Sequence, residues 1–256
     1  MTQGGGGFAP SYNVQLSVDA AHGIIVNVGV SQSGTDYGEL MGSMKEVEER
    51  TGNKPAQVVA DAGYTNRANI MSMADAGIDF IGSFPDWSPA VDAQYARRNI
   101  ATEFRNETFL YDEAADKYVC PAGHDLRHVQ KDTRRPGMID HSYRAKASVC
   151  ATCPHRSGCC PDMKKLGRLV VRSVTLPQIV AFHEKMETSA AKEIYRTRSQ
   201  TAEFPNAWIK EKIGLRQFRT RGQKKTTQEA LWAAITYNIQ QWIRLIWRPQ
   251  LAASTG

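Results

Sequence analysis

The segment AQVVADAGY, residues 56–64, is decisive for the fold of this chain. A short β-branched run ends in Asp61 and Gly63, which is typical of a buried strand that opens into a loop. A helical pattern follows through Met71, and a second short strand, IDFIGS, occupies residues 78–83. Strand, helix and strand in this order predict a βαβ unit. A carboxylate at the carboxyl end of such a strand faces the crevice where α/β proteins bind ligands.

Two strands and a helix are predicted before this unit. Residues 12–18 and 24–30 alternate apolar and polar side chains around a turn-like Ala-His-Gly, so we predict an antiparallel hairpin. Residues 36–50 carry apolar side chains at helical spacing and predict a helix that packs on the hairpin. We interpret Asp36 as the N-terminal cap of this helix and Gly52 as the residue just past its end.

The region from residue 84 to about residue 170 differs from what precedes it. Its apolar periodicity is weak, proline and glycine punctuate it, and it contains every cysteine of the chain. These features predict a separate insertion that is not part of the first sheet.

Helices are predicted after the insertion over residues 177–193, 195–212 and 227–247. Pro205 interrupts the second of them. Because a proline inside a helix costs about 3 kcal/mol or more, we expect a kink or a helix boundary near Phe204. The last helix is amphipathic, and we expect its apolar side chains to pack on the sheet. That face comprises Ala230, Leu231, Ala234, Ile235, Ile239, Trp242 and Ile246.

The composition excludes several classes of protein. Of 256 residues, 41% are hydrophobic and 23% charged, which suits one sizeable core and excludes collagenous, coiled-coil and wholly disordered chains. The apolar stretches are far shorter than the roughly 18 residues needed to span a bilayer, and the glycine-rich start lacks the features of a signal peptide. We therefore expect a cytoplasmic protein.

Charge is distributed unevenly along the chain. Residues 1–100 contain 6 Lys and Arg against 11 Asp and Glu, and residues 101–256 contain 26 against 15. The first part is thus negative and the second strongly positive. This asymmetry favours a protein that holds a polyanion with one region and cations with another, the alternative being uneven solvation of a basic protein.

Three residues in the two halves suggest chemistry. Asp61 alone can be a turn residue without further function. Glu203 and Lys210 change that interpretation, because seven residues are close to two helical turns and place both side chains on one face if the helix survives Pro205. A carboxylate and a lysine so placed can bind a metal ion and a phosphate of the same substrate.

The five cysteines are clustered between residues 120 and 160. In a cytosolic chain such thiols are better interpreted as metal ligands or free thiols than as disulfides. The pair Cys150-x₂-Cys153 is a good half-site for tetrahedral zinc. His124 and His155 are possible substitutes, and unliganded buried thiols or redox chemistry remain alternatives. The predicted ligands of one structural Zn²⁺ are Cys120, Cys150, Cys153 and either Cys159 or Cys160, of which we favour Cys159.

On these residues the sequence resembles the DDE transposases of bacterial insertion sequences, whose catalytic domain has an RNase H-like fold. The segment GGGFAPSYNVQLSVDA is similar to the second strand of that fold and its approach, and VVADAGYTN is similar to the motif of the second catalytic aspartate. Tyr195, Glu203 and Lys210 match the tyrosine, glutamate and lysine of the last catalytic helix. The EFPxxxIK run and CPAG at 120–123 resemble the branch of the family with a cysteine-bearing insertion.

The resemblance implies roles for these residues. Asp61 is expected to be the second catalytic carboxylate and Glu203 the third. The arginine of the family commonly stands four residues before the glutamate, where this chain has Ser199, and Arg198 is the nearest substitute. Three carboxylates would bridge two Mg²⁺ or Mn²⁺ ions about 4 Å apart and promote in-line displacement at a phosphodiester.

Contacts with DNA are expected around the last catalytic helix. Tyr195 and Arg198 are assigned to the DNA interface by the resemblance. A basic run follows the helix, and its charges would neutralise phosphates, the alternative being a solvated basic surface. The residues expected to contact DNA are Tyr195, Arg198, Lys210, Arg216, Arg219, Arg221, Lys224 and Lys225.

The first catalytic aspartate of the family has no match in the chain. It belongs to a central strand ahead of Tyr12, and residues 1–11 contain no acidic side chain. Asp19 is the nearest candidate, but it belongs to the following strand and has a sufficient structural explanation at the strand end. We therefore expect an N-terminally truncated transposase that lacks the central first strand.

The predicted fold is α/β, an RNase H-like mixed sheet with flanking helices that a small zinc-ribbon-like, cysteine-rich insertion interrupts. Residues 1–83 and 171–256 would form the catalytic domain and residues 84–170 the insertion. The predicted function is metal-dependent cleavage and strand transfer at transposon ends. We expect this activity to be impaired in the present fragment. The partners would be double-stranded DNA and a second copy of the chain. The alternatives are a non-catalytic DNA-binding or regulatory remnant and a host nuclease on the same fold.

Overall fold

The computed structural model describes residues 11–84, 88–161 and 166–254. The chain divides into two compact units. Unit 1 comprises residues 1–84 and 182–256, and unit 2 comprises residues 85–181. The second boundary comes later than residue 170 because a strand that belongs to unit 2 runs on to Thr175.

Unit 1 begins with the hairpin that the alternating pattern predicts. Strands β1 (Asn13–Val18) and β2 (Ile25–Ser31) pair in antiparallel register, with Leu16 opposite Val28. Helix α1 (Glu39–Thr51) follows, and Gly52 ends it with a left-handed φ of 70° that a side chain would make costly. The prediction of hairpin and helix is confirmed, whereas the predicted cap is wrong, since Gly38 stands at the N-cap and no side chain bonds there.

The βαβ unit is also confirmed. Strand β3 (Gln57–Ala60), helix α2 (Arg67–Asp75) and strand β4 (Asp79–Gly82) follow one another, and β3 pairs with β4 in parallel. Asn66 caps α2 by accepting a hydrogen bond from the backbone of Asn69, which explains why the helix starts there. Asp61 therefore lies just past the carboxyl end of β3, as expected.

The single mixed sheet of the sequence prediction is not present among the described residues. Strands β1 and β2 form one two-stranded sheet, and β3 and β4 form another. Among the residues that the structure describes, each of these four strands has a hydrogen-bonded neighbour on one side only. The chain is α/β, as predicted, but in the described part of unit 1 no ladder joins the hairpin to the βαβ unit.

Unit 2 is larger and more regular than a zinc-ribbon-like insertion. Five strands form one antiparallel sheet in the order of the chain, so that each strand pairs with its sequence neighbours. Leu126, Tyr143 and Val170 are almost fully buried in its core. The elements are α3 (Ser88–Arg97), β5 (Leu110–Asp112), β6 (Lys117–Val119), β7 (Asp125–Asp132), β8 (Met138–Ala145), α4 (Ala147–Ala151), α5 (Arg156–Cys159) and β9 (Leu169–Thr175).

Two helices replace the single helix predicted over residues 177–193. Helix α6 (Pro177–Glu187) ends before Thr188, whose side chain accepts a hydrogen bond from the backbone of Ala191 and starts helix α7 (Ser189–Arg198). A π-helical turn over Ser199–Glu203 then leads into α8 (Phe204–Glu211). The predicted helix boundary near Phe204 is therefore confirmed.

The last long helix packs on the hairpin with a different face from the one predicted. Helix α9 (Gln223–Trp242) continues into a π-helical turn, Ile243–Trp247, and α10 (Arg248–Ser254). Small side chains and Tyr237 meet β2, whereas Leu231 is only partly buried. The face prediction is wrong for the large side chains, because small residues allow the helix to approach the strands closely. Ile235, Ile239, Trp242 and Ile246 are 43–53% exposed, and the buried side chains include Ala230, Ala233, Ala234 and Tyr237.

Within the described residues, no helix combines the length and the apolar character that a bilayer span requires.

Candidate functional site

The loop that follows β3 holds Asp61 firmly. The Oδ1 atom of Asp61 accepts a hydrogen bond of 2.9 Å from the backbone N–H of Gly63, and the Thr65 hydroxyl donates to the Asp61 carbonyl over 2.8 Å. Thr65 is buried against Gly82, where a Cβ would stand only 2.2 Å from the Thr65 hydroxyl oxygen. The end of β4 must therefore be glycine for this loop to close. The position of the Asp61 carboxylate is thus set by both strands.

Asp36 lies beside this loop and does not cap α1. Its Oδ1 atom accepts hydrogen bonds from the side-chain amides of Asn13, over 2.5 Å, and Gln15, over 2.8 Å. Its Oδ2 atom and the Oδ1 atom of Asp61 each lie 3.1 Å from the point where a Cβ on Gly63 would stand. The absence of a side chain on Gly63 therefore lets two carboxylates border the same small space. The sequence interpretation missed this, since nothing in the local pattern links Asp36 to residues far from it.

The pKa of Tyr64 is affected by the negative charge of this loop. Burial raises the pKa of the Tyr64 hydroxyl, and the carboxylates of Asp36, Asp61 and Glu39 raise it further. The hydroxyl is therefore protonated throughout the physiological range, and it lies in a field that favours cations.

Glu203 is positioned by the π-helical turn. Its Oε1 atom accepts a hydrogen bond of 2.8 Å from the guanidinium of Arg198, five residues earlier. Hydrogen bonds in a π-helix join residues five apart, so positions i and i+5 lie closer in direction there than they do in an α-helix. The turn therefore brings Arg198 to the glutamate, although the arginine of the family stands at another spacing. Arg198 also lies over the ring of Tyr195, with 5.6 Å to its centroid.

Pro205 explains why the helix widens at this place. It cannot donate a backbone hydrogen bond, and its ring would crowd the carbonyl four residues earlier. Pro205 stands at the start of α8, and the preceding Ala202 carbonyl accepts a bond of 3.1 Å from the Asn206 side chain. Because π-helical turns are frequent at functional sites, the turn marks Glu203 for attention.

Glu203 and Lys210 line one shallow groove on α8, as their spacing predicts. Asn206 and Ala207 form its floor, and Glu211 borders it. The helix thus presents a carboxylate and an ammonium group together. Chemically, such a groove can hold a cation and a phosphate side by side.

The predicted DNA-contact residues that follow α8 are exposed. The segment is anchored where the backbone N–H groups of Arg219 and Thr220 donate to the carboxylate of Glu229, and the Arg216 guanidinium pairs with Glu211. These contacts order the backbone and leave a basic surface towards solvent. The exposed cations are Lys210, Arg216, Arg219, Arg221, Lys224 and Lys225.

Strand β1 connects the parts of the site. The π-helical turn that carries Glu203 packs against β1, and α7 packs against β3 and β4. Asn13 and Gln15 of the same β1 hold Asp36, which borders the Asp61 loop. The approach of Glu203 to Asp61 itself stays a prediction.

Asp19 has a structural role, as the sequence suggests. It accepts hydrogen bonds from the backbone and ring of His22 over 3.0 and 2.8 Å, which closes the hairpin turn. It follows Val18 at one end of β1, whereas Asn13 begins the other end. At about 3.3 Å per residue, the length of the strand separates Asp19 from the pair of carboxylates.

All five cysteines line one small pocket in unit 2. The backbone N–H of His124 donates to the sulfur of Cys120 over 3.3 Å, and that of Arg168 donates to the sulfur of Cys150 over 3.4 Å. Burial raises the pKa of Cys159 to about 12, so without a cation at the sulfurs this thiol is protonated at neutral pH. Cys153, Cys160 and His155 complete the cysteine pocket.

Arg168 brings a buried positive charge to the cysteine pocket. It is 4% exposed, and its guanidinium donates to the carbonyls of Cys159 and Phe104 and to the side chain of Asn106. Burial lowers the pKa of this arginine, since the charged form loses its hydration. No pattern in the sequence distinguishes this arginine from the others, because its burial depends on the sheet.

The predicted tetrahedral convergence of sulfurs is not met. Among residues 11–84, 88–161 and 166–254, no group of three or more His, Cys, Asp or Glu side chains has the geometry to hold a metal ion. The thiols share a pocket, but their sulfurs do not meet at one point. Within these residues, no set of three carboxylates that could hold a metal ion includes Asp61 or Glu203 either.

Comparisons with known proteins bear on the second half of the chain. Residues 119–243 match the family described as the transposase DDE domain. The match includes Glu203, Lys210 and the cysteine pocket from Cys120 onwards, but not Asp61. No curated protein and no solved structure matches the chain.

Members of the matched family are generally nucleases or transposases that act on DNA with divalent metal ions such as Mg²⁺. The helix with Arg198, Glu203 and Lys210 lies within the matched residues. Residues 119–243 of this chain are therefore similar to a transposase DDE domain.

Proposed function

We propose that this chain is the catalytic region of a transposase that binds transposon ends, cuts DNA and joins it to a target. The observation that supports it most is the arrangement of Arg198, Glu203 and Lys210 on one helix inside the residues that match the family. Asp61, at the carboxyl end of β3, is the second acidic residue of the proposed site.

In this proposal each residue has a separate task. Glu203 and Asp61 hold divalent ions, which would activate a water or a 3′-hydroxyl and stabilise the leaving oxygen. Arg198 fixes the direction of the Glu203 carboxylate. Lys210 neutralises a phosphate next to the groove, as a positive point charge does.

Double-stranded DNA is the proposed partner, bound along the basic surface after α8. The six cations assigned to DNA contact, Lys210 on α8 and five residues after it, are exposed, and neutralising phosphates with them would release counterions from the duplex. Binding should therefore weaken steeply with salt. We also propose a location with the nucleoid in the cytoplasm and a dimer on DNA, since two transposon ends must be held together.

A nicking assay on transposon-end DNA tests the catalytic proposal. We expect nicking in Mg²⁺ or Mn²⁺ that Asp61→Asn and Glu203→Gln each abolish. Asp75→Asn, which removes the same charge from an exposed position at the end of α2, is the control and should leave nicking unchanged. Nicking that survives both site substitutions would refute the assignment.

A second candidate is a non-catalytic DNA-binding or regulatory protein on the same surface. The exposed basic residues favour it independently of the carboxylates. In that case the chain binds transposon-end DNA and the Asp61→Asn and Glu203→Gln variants bind equally well, with no nicking in either. A host nuclease would cut DNA with no preference for transposon ends.

We also propose that the cysteine pocket binds one structural Zn²⁺ through Cys120, Cys150, Cys153 and Cys159. Three features support it: the five cysteines that line the pocket, the backbone N–H groups aimed at two sulfurs, and the buried charge of Arg168. A zinc tetrathiolate carries two negative charges, which a buried guanidinium stabilises. Binding would release protons from the thiols and draw the sulfurs to about 2.3 Å from the ion.

Metal analysis tests the zinc proposal. Purified protein should contain about one zinc per chain, and Cys153→Ser should lose it. Ser173→Ala, on the same sheet but away from the cysteines, is the control. Metal-free protein of unchanged stability would contradict the proposal.

A further inference from the structure

The pair of carboxylates at Gly63 is the feature of unit 1 that the proposed function leaves unexplained. Asp36 Oδ2 and Asp61 Oδ1 border the same space, each 3.1 Å from the position of a Cβ on Gly63. Two like charges so close repel each other unless a cation lies between them. The loop nevertheless brings them together, with Asp61 fixed by Gly63 and Asp36 fixed by β1.

Gln15 gives an independent indication of a cation. Its side chain is 4% exposed and reaches Asp36, to which its amide nitrogen donates over 2.8 Å. Its amide oxygen is buried without a hydrogen-bond partner among the described residues. A buried acceptor left unpaired costs about 1–3 kcal/mol, and carbonyl oxygens of this kind are ligands of hard cations.

The hydrogen bonds of the two carboxylates leave one oxygen of Asp36 facing the Asp61 loop. Asn13 and Gln15 both donate to Oδ1 of Asp36, so Oδ2 stays turned towards Gly63. Asp61 uses Oδ1 for the N–H of Gly63. Two carboxylates, with a buried amide oxygen on the side chain that holds one of them, offer the oxygen ligands that Mg²⁺ and Mn²⁺ prefer.

We propose that Asp36 is a carboxylate ligand of the divalent cation held at Asp61. The inference rests on the proposed function, because it assumes that Asp61 binds a divalent ion. It adds to that function a residue that lies outside the matched region and outside the motifs of the sequence. Asp36 then supplies a second negative charge at the site. It lies just before α1, where the sequence pattern predicts a helix cap.

The test measures binding of Mn²⁺ alone by titration calorimetry, together with the melting temperature in Mn²⁺ and in EDTA. Asp36→Asn keeps the acceptor for Asn13 and Gln15 and removes only the charge. We expect it to weaken Mn²⁺ binding by about tenfold to hundredfold, as losses in a metal shell do, and to remove the Mn²⁺-dependent rise in melting temperature. In EDTA it should melt no lower than the wild type, because the repulsion with Asp61 is relieved.

Two further variants keep the outcomes distinct. Gly63→Ala would place a methyl group between the carboxylates and should also weaken Mn²⁺ binding, whereas Asp75→Asn should not. If Asp61→Asn weakens binding and Asp36→Asn does not, the inference on Asp36 is wrong and the proposed function stands. If neither weakens it, the cation site at Asp61 is wrong as well. A melting temperature for Asp36→Asn that falls in EDTA would show a purely structural role and overturn the inference.

Discussion

The strands of the two units are paired in different ways. In unit 2 each of five strands pairs with its sequence neighbours, and β6, β7 and β8 are bonded on both sides. In unit 1 four strands form two separate pairs, and helices supply much of the packing. A meander needs only short turns to close its ladders, whereas the pairs of unit 1 lack a common strand among the described residues.

The difference also appears in what each unit buries. Unit 2 buries aromatic and aliphatic side chains around Leu126 and Tyr143. Unit 1 buries Gln15 and Asn27 on the polar face of its hairpin, each with side-chain atoms that have no hydrogen-bond partner among the described residues. Unit 2 buries Arg168, whose Nε atom likewise lacks a partner there. Unsatisfied buried polar groups are costly, so both units carry part of this cost. The units therefore differ mainly in the apolar side chains at the centre of their cores.

The largest expected difference between the units is in amide hydrogen exchange. Residues 138–145 of β8 should exchange only when unit 2 unfolds, which for a domain costs roughly 5–15 kcal/mol. Residues 57–60 of β3 should exchange through much smaller local openings, because no strand of residues 11–84, 88–161 or 166–254 pairs with their second edge. Mass spectrometry of peptides that cover both strands measures this. Equal protection of the two strands from amide exchange would show that the second edge of β3 is covered.

A core truncation should distinguish the stabilities of the units. Leu126→Ala removes a fully buried side chain of unit 2 and should lower its free energy of unfolding by about 2–5 kcal/mol. Met73→Ala, equally buried in unit 1, is the matched change. Calorimetry should show two unfolding transitions, and each substitution should lower the midpoint temperature of a different one. One transition that responds alike to both would mean that the units unfold together.

Acid should weaken unit 2 through the ion pair between the buried Asp140 and the exposed Arg135. The Arg135 guanidinium donates to Asp140 over 2.6 Å and Ser173 donates to it over 2.6 Å, and these bonds, that from Arg135 foremost, lower the pKa of Asp140. The stabilisation is therefore complete above about pH 4, where a free aspartate is ionised, and is lost as the pH falls through the lower pKa of the folded state. Asp140→Asn should cost about 1.5–3 kcal/mol at neutral pH.

Denaturant unfolding as a function of pH measures this effect. The loss of stability below pH 4 should be smaller in Asp140→Asn than in the wild type. Asp132→Asn, at the exposed pair with Arg134, is the control and should have a much smaller effect at neutral pH. A variant as acid-sensitive as the wild type would assign the effect to other groups.

The smallest expected change in stability concerns the π-helical turn. Arg198→Gln and Arg196→Gln each remove one partner of an ion pair on α7, and each should cost less than about 1 kcal/mol. Only Arg198 contacts Glu203, so only its loss should reduce DNA nicking. Equal nicking rates for the two variants would show that the contact with Glu203 does not matter.

Much of the local structure could be predicted from the sequence. The hairpin, α1 with its buried Leu40, Met44 and Val47, and the βαβ unit follow from periodicity and glycine positions. The boundary at Pro205 follows from the chemistry of proline. The buried face of α9 could not be predicted in this way, because small side chains packed against β2 in place of the larger apolar ones.

The candidate site was predicted residue by residue but not as a geometry. Spacing alone placed Glu203 and Lys210 on one face, and the strand pattern placed Asp61 at a strand end. The approach of Arg198 to Glu203 could not be foreseen, since it depends on a π-helical turn and not on α-helical spacing.

The sequence by itself determined the types of element, the clustering of cysteines and the residues that carry charge, because these depend on neighbours within a few positions of the chain. Only the tertiary structure decided that Asp36 borders Asp61, that Arg168 is buried beside the cysteines, and that the strands of unit 1 form two separate sheets. Asp36 reaches its partners through strand β1, and Arg168 reaches its partners through the five-stranded sheet. Such contacts join residues that are far apart in the chain, so their geometry depends on how whole elements pack.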